Sequence, residues 1–213
     1  MLREVPIALF IKNMMFRTGK RFLSVIDKND VILAIKNAYL AMSPRTVKEV
    51  GTTSLFKKVG ITGKYTVFDW LAEMFIKYFR GEPPINFDDW HNKVCEEFLK
   101  RFNDVLRKSG YNPVQYGKAQ KIVNVTFKNL YLYDDAFLYE EYFYDCHFIL
   151  SSENLDWYKH NVNSSWRKIA WSNLNYKQYI EIQENIREYF KNNEKCYKAP
   201  FIAEFFIWSD HFL

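Results

Sequence analysis

Gly117-Lys118-Ala119-Gln120-Lys121-Ile122-Val123-Asn124-Val125-Thr126-Phe127-Lys128 reads as a polar, glycine-bearing turn that opens into an apolar helix. Lys121 stands at the mouth of that helix. In a pocket such a lysine is partly desolvated. Desolvation disfavours the ammonium, lowers the pKa and leaves a nucleophilic amine. The alternative is an ordinary amphipathic helix whose first-turn lysine is solvated, its stem lying along apolar surface.

Helical spacing recurs on both sides of this stretch. Residues 66–79 carry Val67, Trp70, Leu71, Met74, Phe75 and Tyr78 at a period near 3.6, and Gly81-Glu82-Pro83-Pro84 ends the run. Asp88 or Asp89 is the expected N-cap of a helix with Val94, Phe98, Phe102, Val105 and Leu106 on one face. It stops near Ser109-Gly110, and Asn112-Pro113 follows as a turn. Upstream, Asn29-Asp30 caps a helix through Val31, Ile32, Ile35, Tyr39 and Leu40. Ser43-Pro44 reads as the N-cap and first position of a short helix.

Downstream, the Lys121 helix runs to about Tyr133, and residues 134–150 are aromatic and acidic without a clear period. Ser151 or Ser152 reads as an N-cap, and Asn175 caps a long helix through Tyr179, Ile182, Ile186 and Phe190. A last apolar helix follows Pro200. No segment alternates between hairpin turns. The expectation is an all-α protein: one compact helical domain over residues 1–213, or two packed lobes of approximately 1–110 and 111–213.

Composition agrees. An apolar fraction of 48% and an aromatic fraction of 19% exclude disorder, and seven glycines with six prolines leave little room for the turns of a sandwich or barrel. A net charge of +5 permits nucleic-acid binding without requiring it. Cys95, Cys146 and Cys196 form no disulfide framework and no zinc pair, which suits a reducing cytoplasm. His91, His147, His160 and His211 have no metal-ligand spacing, so neither metal nor cofactor is expected. The first apolar stretch is broken by Lys12, Arg17, Lys20 and Arg21, too short for a membrane span and without a signal-peptide cleavage pattern. A soluble cytoplasmic protein without membrane contact is expected.

Three constellations carry chemistry. Lys118, Lys121 and Lys128 follow Arg101, Arg107 and Lys108, and Gly110 and Gly117 bracket a polar hairpin. Backbone amides of such a hairpin and the next helix N-terminus can hold DNA phosphates. Trp70, Trp90, Trp157, Trp166, Trp171 and Trp208 read mainly as core, but Glu204 lies one turn before Trp208. A carboxylate in the apolar run Phe201-Ile202-Ala203-Glu204-Phe205-Phe206-Ile207 needs a partner, and beside an indole it can meet the edge of a stacked purine. Finally, Ser151-Ser152-Glu153 is a helix start, or a place for a general base.

Together these residues resemble the archaeal 8-oxoguanine DNA glycosylases of the helix–hairpin–helix superfamily. The likeness lies in residues 120–128, the turn at 151–155 and residues 200–208. In that family a Gln-Lys pair opens an apolar helix and a second lysine follows two turns later, as Gln120-Lys121 and Lys128 do here. An acidic residue and a tryptophan four positions on close the base pocket, matched by Glu204 and Trp208. The helix of residues 175–192 with its Gln183 resembles the corresponding family segment, and Thr62-Gly63-Lys64 followed by Trp70 is a fainter likeness to a pocket-lining tryptophan region.

The resemblance implies a monomer that binds duplex DNA and extrudes a modified purine. Lys121 would attack the sugar C1′ and displace the base, leaving a Schiff base that can proceed to strand cleavage. Lys128, Glu204, Trp208 and Trp70 would hold the base, and Gly117 and Lys118 would meet phosphate. The family's assisting aspartate is not matched. Phe148-Ile149-Leu150 is followed by Ser151, and ungapped counting from Lys121 lands on Glu153. Either the acid has slipped to Glu153, with Ser151 at the equivalent of the family position, or it is absent. Two other readings remain open. One is a degenerate pocket that binds a nucleobase or nucleic acid without cutting. The other is a helical protein–protein interaction module, as in phage–host conflict, binding through aromatic residues 131–144.

Overall fold

A computed structural model describes residues 28–41, 66–81, 83–132, 140–167, 169–193 and 200–212, except the side chains of residues 206 and 208–212. The helix expected after Ser43-Pro44 and the Thr62-Gly63-Lys64 stretch fall outside the described residues. Besides a 3-10 stretch at residues 140–142, the described residues form seven α-helices and one further 3-10 turn, with no strand among them. They are α1 (Lys28–Leu40), α2 (Val67–Arg80), α3 (Phe87–Lys108), α4 (Tyr116–Tyr131), α5 (Ser152–Asn161), the 3-10 turn Trp171–Asn173, α6 (Tyr176–Asn192) and α7 (Pro200–Phe212).

The helix starts follow from local side chains. Thr66 caps α2 in a reciprocal box, its Oγ1 accepting the Asp69 N–H at 3.2 Å while Asp69 Oδ2 accepts the Thr66 N–H at 3.0 Å. Asn175 and Gln178 make the same box at the start of α6. Helix α1 is described from Lys28, and Asn29 and Asp30 lie within it rather than ahead of it. The N-cap of α3 is Asn86, not Asp88 or Asp89: Asn86 Oδ1 accepts the Asp89 N–H at 3.2 Å. The Asp88 carboxylate is drawn inward to His147 and Arg187 instead. The end of α3 is a Schellman turn, with Tyr111 N–H donating to Leu106 O and Gly110 N–H to Arg107 O. Gly110 sits there at φ 78°, a conformation that favours glycine.

One core cluster draws on all seven helices, including Val31, Phe68, Phe98, Phe127, Leu155, Ile182 and Phe201. Helix α4 is its axis, packed against α1, α3, α6 and the 3-10 turn. Fifteen of its sixteen residues are buried, and Lys121 is the exception. It is therefore not the amphipathic surface helix that one reading of its sequence allows. Phe127 lies among Phe75, Tyr78, Phe79, Phe87 and Trp90, with ring centroids 4.8 Å from Phe75 and 5.2 Å from Tyr78. Burial of such a ring stabilises by roughly 1.5–3 kcal/mol. Polar residues on α4 are satisfied internally: Asn129 Nδ2 donates to Ala34 O at 2.9 Å and Thr126 Oγ1 to Ile122 O at 2.7 Å.

Two expectations change here. Leu40, read on the apolar face of α1, is 49% exposed. Tyr131 and Phe143, expected in an exposed aromatic patch, are core residues, while Tyr144 is exposed and residues 133–139 fall outside the described chain. No helix among the described residues is long and apolar enough to cross a membrane.

Candidate active site at Lys121

The start of α4 is built without a side-chain cap. Instead, Gly117 N–H donates to Leu174 O at 3.0 Å, which clips the 3-10 turn onto the helix. The approach needs a glycine, because a Cβ at position 117 would run into the Trp171 carbonyl. This close contact brings the Trp171 ring over two lysines. Lys121 Nζ lies 4.2 Å from its centroid and Lys118 Nζ 4.6 Å. Lys118 is buried and its amide donates to Gln115 O. The two amides expected to meet phosphate are thus engaged within the fold.

Burial is the largest influence on Lys121 and lowers its pKa from the usual lysine range. The carboxylates of Glu153 and Glu204 oppose that shift, and the Lys128 ammonium adds to it. Three groups singled out in the sequence therefore act on Lys121. Glu153 is exposed in the first turn of α5. Ser151, the other candidate for the acid position, is the N-cap of α5: its Oγ accepts the Asn154 N–H at 3.2 Å.

Lys128 lies two turns along α4 from Lys121 and forms an ion pair with Glu204 of α7. Both side chains are almost entirely buried. This pairing accounts for a carboxylate in an otherwise apolar helix. Burial lowers the Lys128 pKa while Glu204 raises it. The ammonium also lies 4.9 Å from the Phe205 ring centroid, and Asn154 Nδ2 donates to Glu204 Oε1 at 3.4 Å. Trp70 belongs to another pairing: it is buried between α2 and α3 beneath the Arg101 guanidinium, 4.9 Å from its centroid. The Trp208 side chain lies outside the described residues.

A second polar cluster lies behind the lysine and was not legible in the sequence. Arg187 Nη1 and Nη2 donate to Asp88 Oδ2 and Oδ1 at 2.8 and 2.5 Å. His147 Nε2 meets Asp88 Oδ1 at 2.6 Å, and His147 Nδ1 meets the Tyr179 hydroxyl at 2.7 Å. Asn124 Nδ2 donates to that hydroxyl at 2.9 Å and to Gln120 Oε1 at 3.0 Å. Asn124 Oδ1 lies 2.9 Å from His91 Nε2. The bonds are mutually consistent when both histidines are neutral and donate through Nε2. Burial lowers both histidine pKa values. Burial raises Asp88, but hydrogen bonds from Arg187 and His147 outweigh it and hold the carboxyl well below its usual range.

Asp88, His147 and Tyr179 have the connectivity of a carboxylate–imidazole–hydroxyl relay. Tyr179 is wholly buried and its pKa is pushed up by that burial, so no substrate reaches its oxygen. The relay is structural. It holds the polar face of α4 against α3, α6 and residues 146–150. Gln183 completes the attachment, its amide making a two-point clamp with Phe148 N–H at 3.0 Å and Phe148 O at 2.8 Å.

Trp171 is the site residue that sequence reading passed over, counted among core tryptophans. The available signal was the i, i+3 spacing of Lys118 and Lys121, which places both ammonium groups on one helix face. The chain matches no family model, no curated protein and no solved structure.

Proposed function

We propose that the protein is a DNA glycosylase-like enzyme of the helix–hairpin–helix kind, with Lys121 as its nucleophile. One observation carries the reading: in a central helix buried on every side, the single residue left partly open to solvent is a desolvated lysine with two carboxylates in range. An ordinary surface lysine would be solvated, and an ordinary buried helix would carry an apolar residue there.

The chemistry follows from a neutral amine. The extruded nucleotide presents C1′ to Lys121 Nζ, whose lone pair forms the new C–N bond as the N-glycosidic bond breaks. The base leaves with the bonding electron pair and takes up a proton. Glu153 is the group that accepts the lysine proton. Opening of the sugar breaks the C1′–O4′ bond, O4′ takes up a proton and a protonated imine forms; loss of a C2′ proton to water then forms the C2′–C3′ double bond as the 3′-phosphate leaves with the C3′–O electron pair. Duplex DNA bearing a modified purine is the substrate, and its binding weakens as salt rises.

Borohydride tests this directly by reducing the imine to a stable amine. A covalent protein–DNA adduct is expected with a duplex containing an oxidised or otherwise modified purine, and Lys121→Gln abolishes it. Absence of an adduct across a panel of such duplexes would sink the reading.

The buried Lys128–Glu204 pair favours a second reading, binding without cleavage. Each of these groups already satisfies the other, and Ser151 is committed to its cap. Under that reading a purine ligand or DNA stabilises the protein thermally, no base is released, and the stabilisation is lost in Trp208→Ala.

A further inference from the structure

The Trp171 indole is buried, and two ammonium groups lie within cation–π distance of it. The ring is anchored by its own backbone, held against Gly117 where no other side chain fits. It therefore does not move freely with the lysine. A ring quadrupole attracts an ammonium and has no comparable hold on a neutral amine. We propose that Trp171 is a positioning residue that parks Lys121 as the ammonium and releases the amine when its proton leaves.

The step is a proton transfer. The Lys121 N–H bond breaks and its electron pair stays on nitrogen, while a carboxylate oxygen of Glu153 gains the O–H bond. The neutral amine then has no electrostatic tie to the indole and is free to turn toward an electrophilic carbon. Among the described residues, the charged groups around it are Lys118 and Lys128 from α4, Glu153 from α5 and Glu204 from α7. Glu204 is committed to Lys128, which leaves Glu153 as the acceptor. The consequence for catalysis rests on the nucleophile reading above, whereas the placement of the ring does not.

The test reads the titration of Lys121 itself. The full chain is labelled competitively with acetic anhydride across pH, and the peptide carrying Lys121 is quantified by mass spectrometry. Trp171→Leu keeps an apolar cover but removes the quadrupole. Its labelling midpoint is expected to fall by about half a unit to one and a half units. Trp171→Phe keeps a weaker ring and is expected to fall less.

Replacement of all tryptophans by a fluorinated analogue preserves shape and weakens the negative ring face. It lowers the midpoint without any change of fold, so the test survives if the leucine variant does not fold. An unmoved or raised midpoint in the fluorinated protein overturns the proposal. Borohydride trapping is run in parallel on the same samples. A lowered midpoint without trapping keeps the positioning role and removes the glycosylase reading, whereas trapping with an unmoved midpoint does the reverse.

Discussion

Lys128 of α4 and Glu204 of α7 form an ion pair with both side chains almost fully withdrawn from water. The pair ties the C-terminal helix to the central one through charge rather than shape. A buried pair of this kind is not itself a large source of stability, because desolvation offsets most of the Coulomb attraction. Removing one partner strands a charge. Lys128→Met and Glu204→Gln are each expected to destabilise by about 3–5 kcal/mol in urea unfolding. The double variant Lys128→Met/Glu204→Leu should recover most of that loss. Additive losses in the double variant would show that the two residues do not depend on each other.

Gly117→Ala reverses a familiar sign. At an ordinary helix position, alanine stabilises relative to glycine by roughly 0.5–1 kcal/mol. Here the new Cβ meets the backbone of Trp171, which has no rotamer to yield. A loss of about 1–3 kcal/mol is expected, with a change in near-ultraviolet dichroism as the indole is displaced. A more stable variant would mean that the 3-10 turn does not rest on α4.

Acid sensitivity follows from the Arg187–Asp88–His147–Tyr179 chain. Burial depresses the pKa of His147 and His91 in the folded protein below the usual value near 6.5. The unfolded chain therefore takes up these protons first as pH falls. The stability contributed by the neutral histidines is present above about pH 6.5 and is lost progressively below it. The depressed Asp88 carboxyl acts in the same sense, and its contribution is lost at more acid pH, below the ordinary carboxylate pKa of about 4. Thermal midpoints should drop between pH 7 and 5 and continue to drop below 4. In His147→Gln the upper slope should shrink, with the part due to His91 remaining. An equal slope in that variant would clear His147 of the effect.

Lys121 carries a stability prediction apart from its chemistry. Burial lowers its pKa, so at neutral pH folding works against its charge. Lys121→Met is expected to raise unfolding stability by about 0.5–2 kcal/mol while abolishing borohydride trapping. The urea midpoint should move with the slope unchanged. A destabilised variant would mean that the ammonium is held more firmly by its neighbours than burial disfavours it.

Much of this molecule follows from short-range information. Thr66, Ser151 and Asn175 lie within three residues of the amides they cap, and the apolar spacing of α2, α3 and α6 is read within a single turn or two. Such features depend on residues i to i+4, so the all-helical architecture and most helix ends were legible in the sequence. Asp88 shows where that reasoning fails: a good cap residue two positions too late was recruited by His147 and Arg187, fifty-nine and ninety-nine positions away.

The sequence also determined that Lys121 opens an apolar helix and that Lys128 follows two turns on. It did not determine what surrounds them. Only tertiary structure closed α4 on every face but one, paired Lys128 with Glu204, and brought Trp171 over Lys121 across the side-chain-free surface of Gly117. The physical reason is that desolvation and charge pairing depend on which distant segments exclude water from a side chain. Helical periodicity carries no record of those segments.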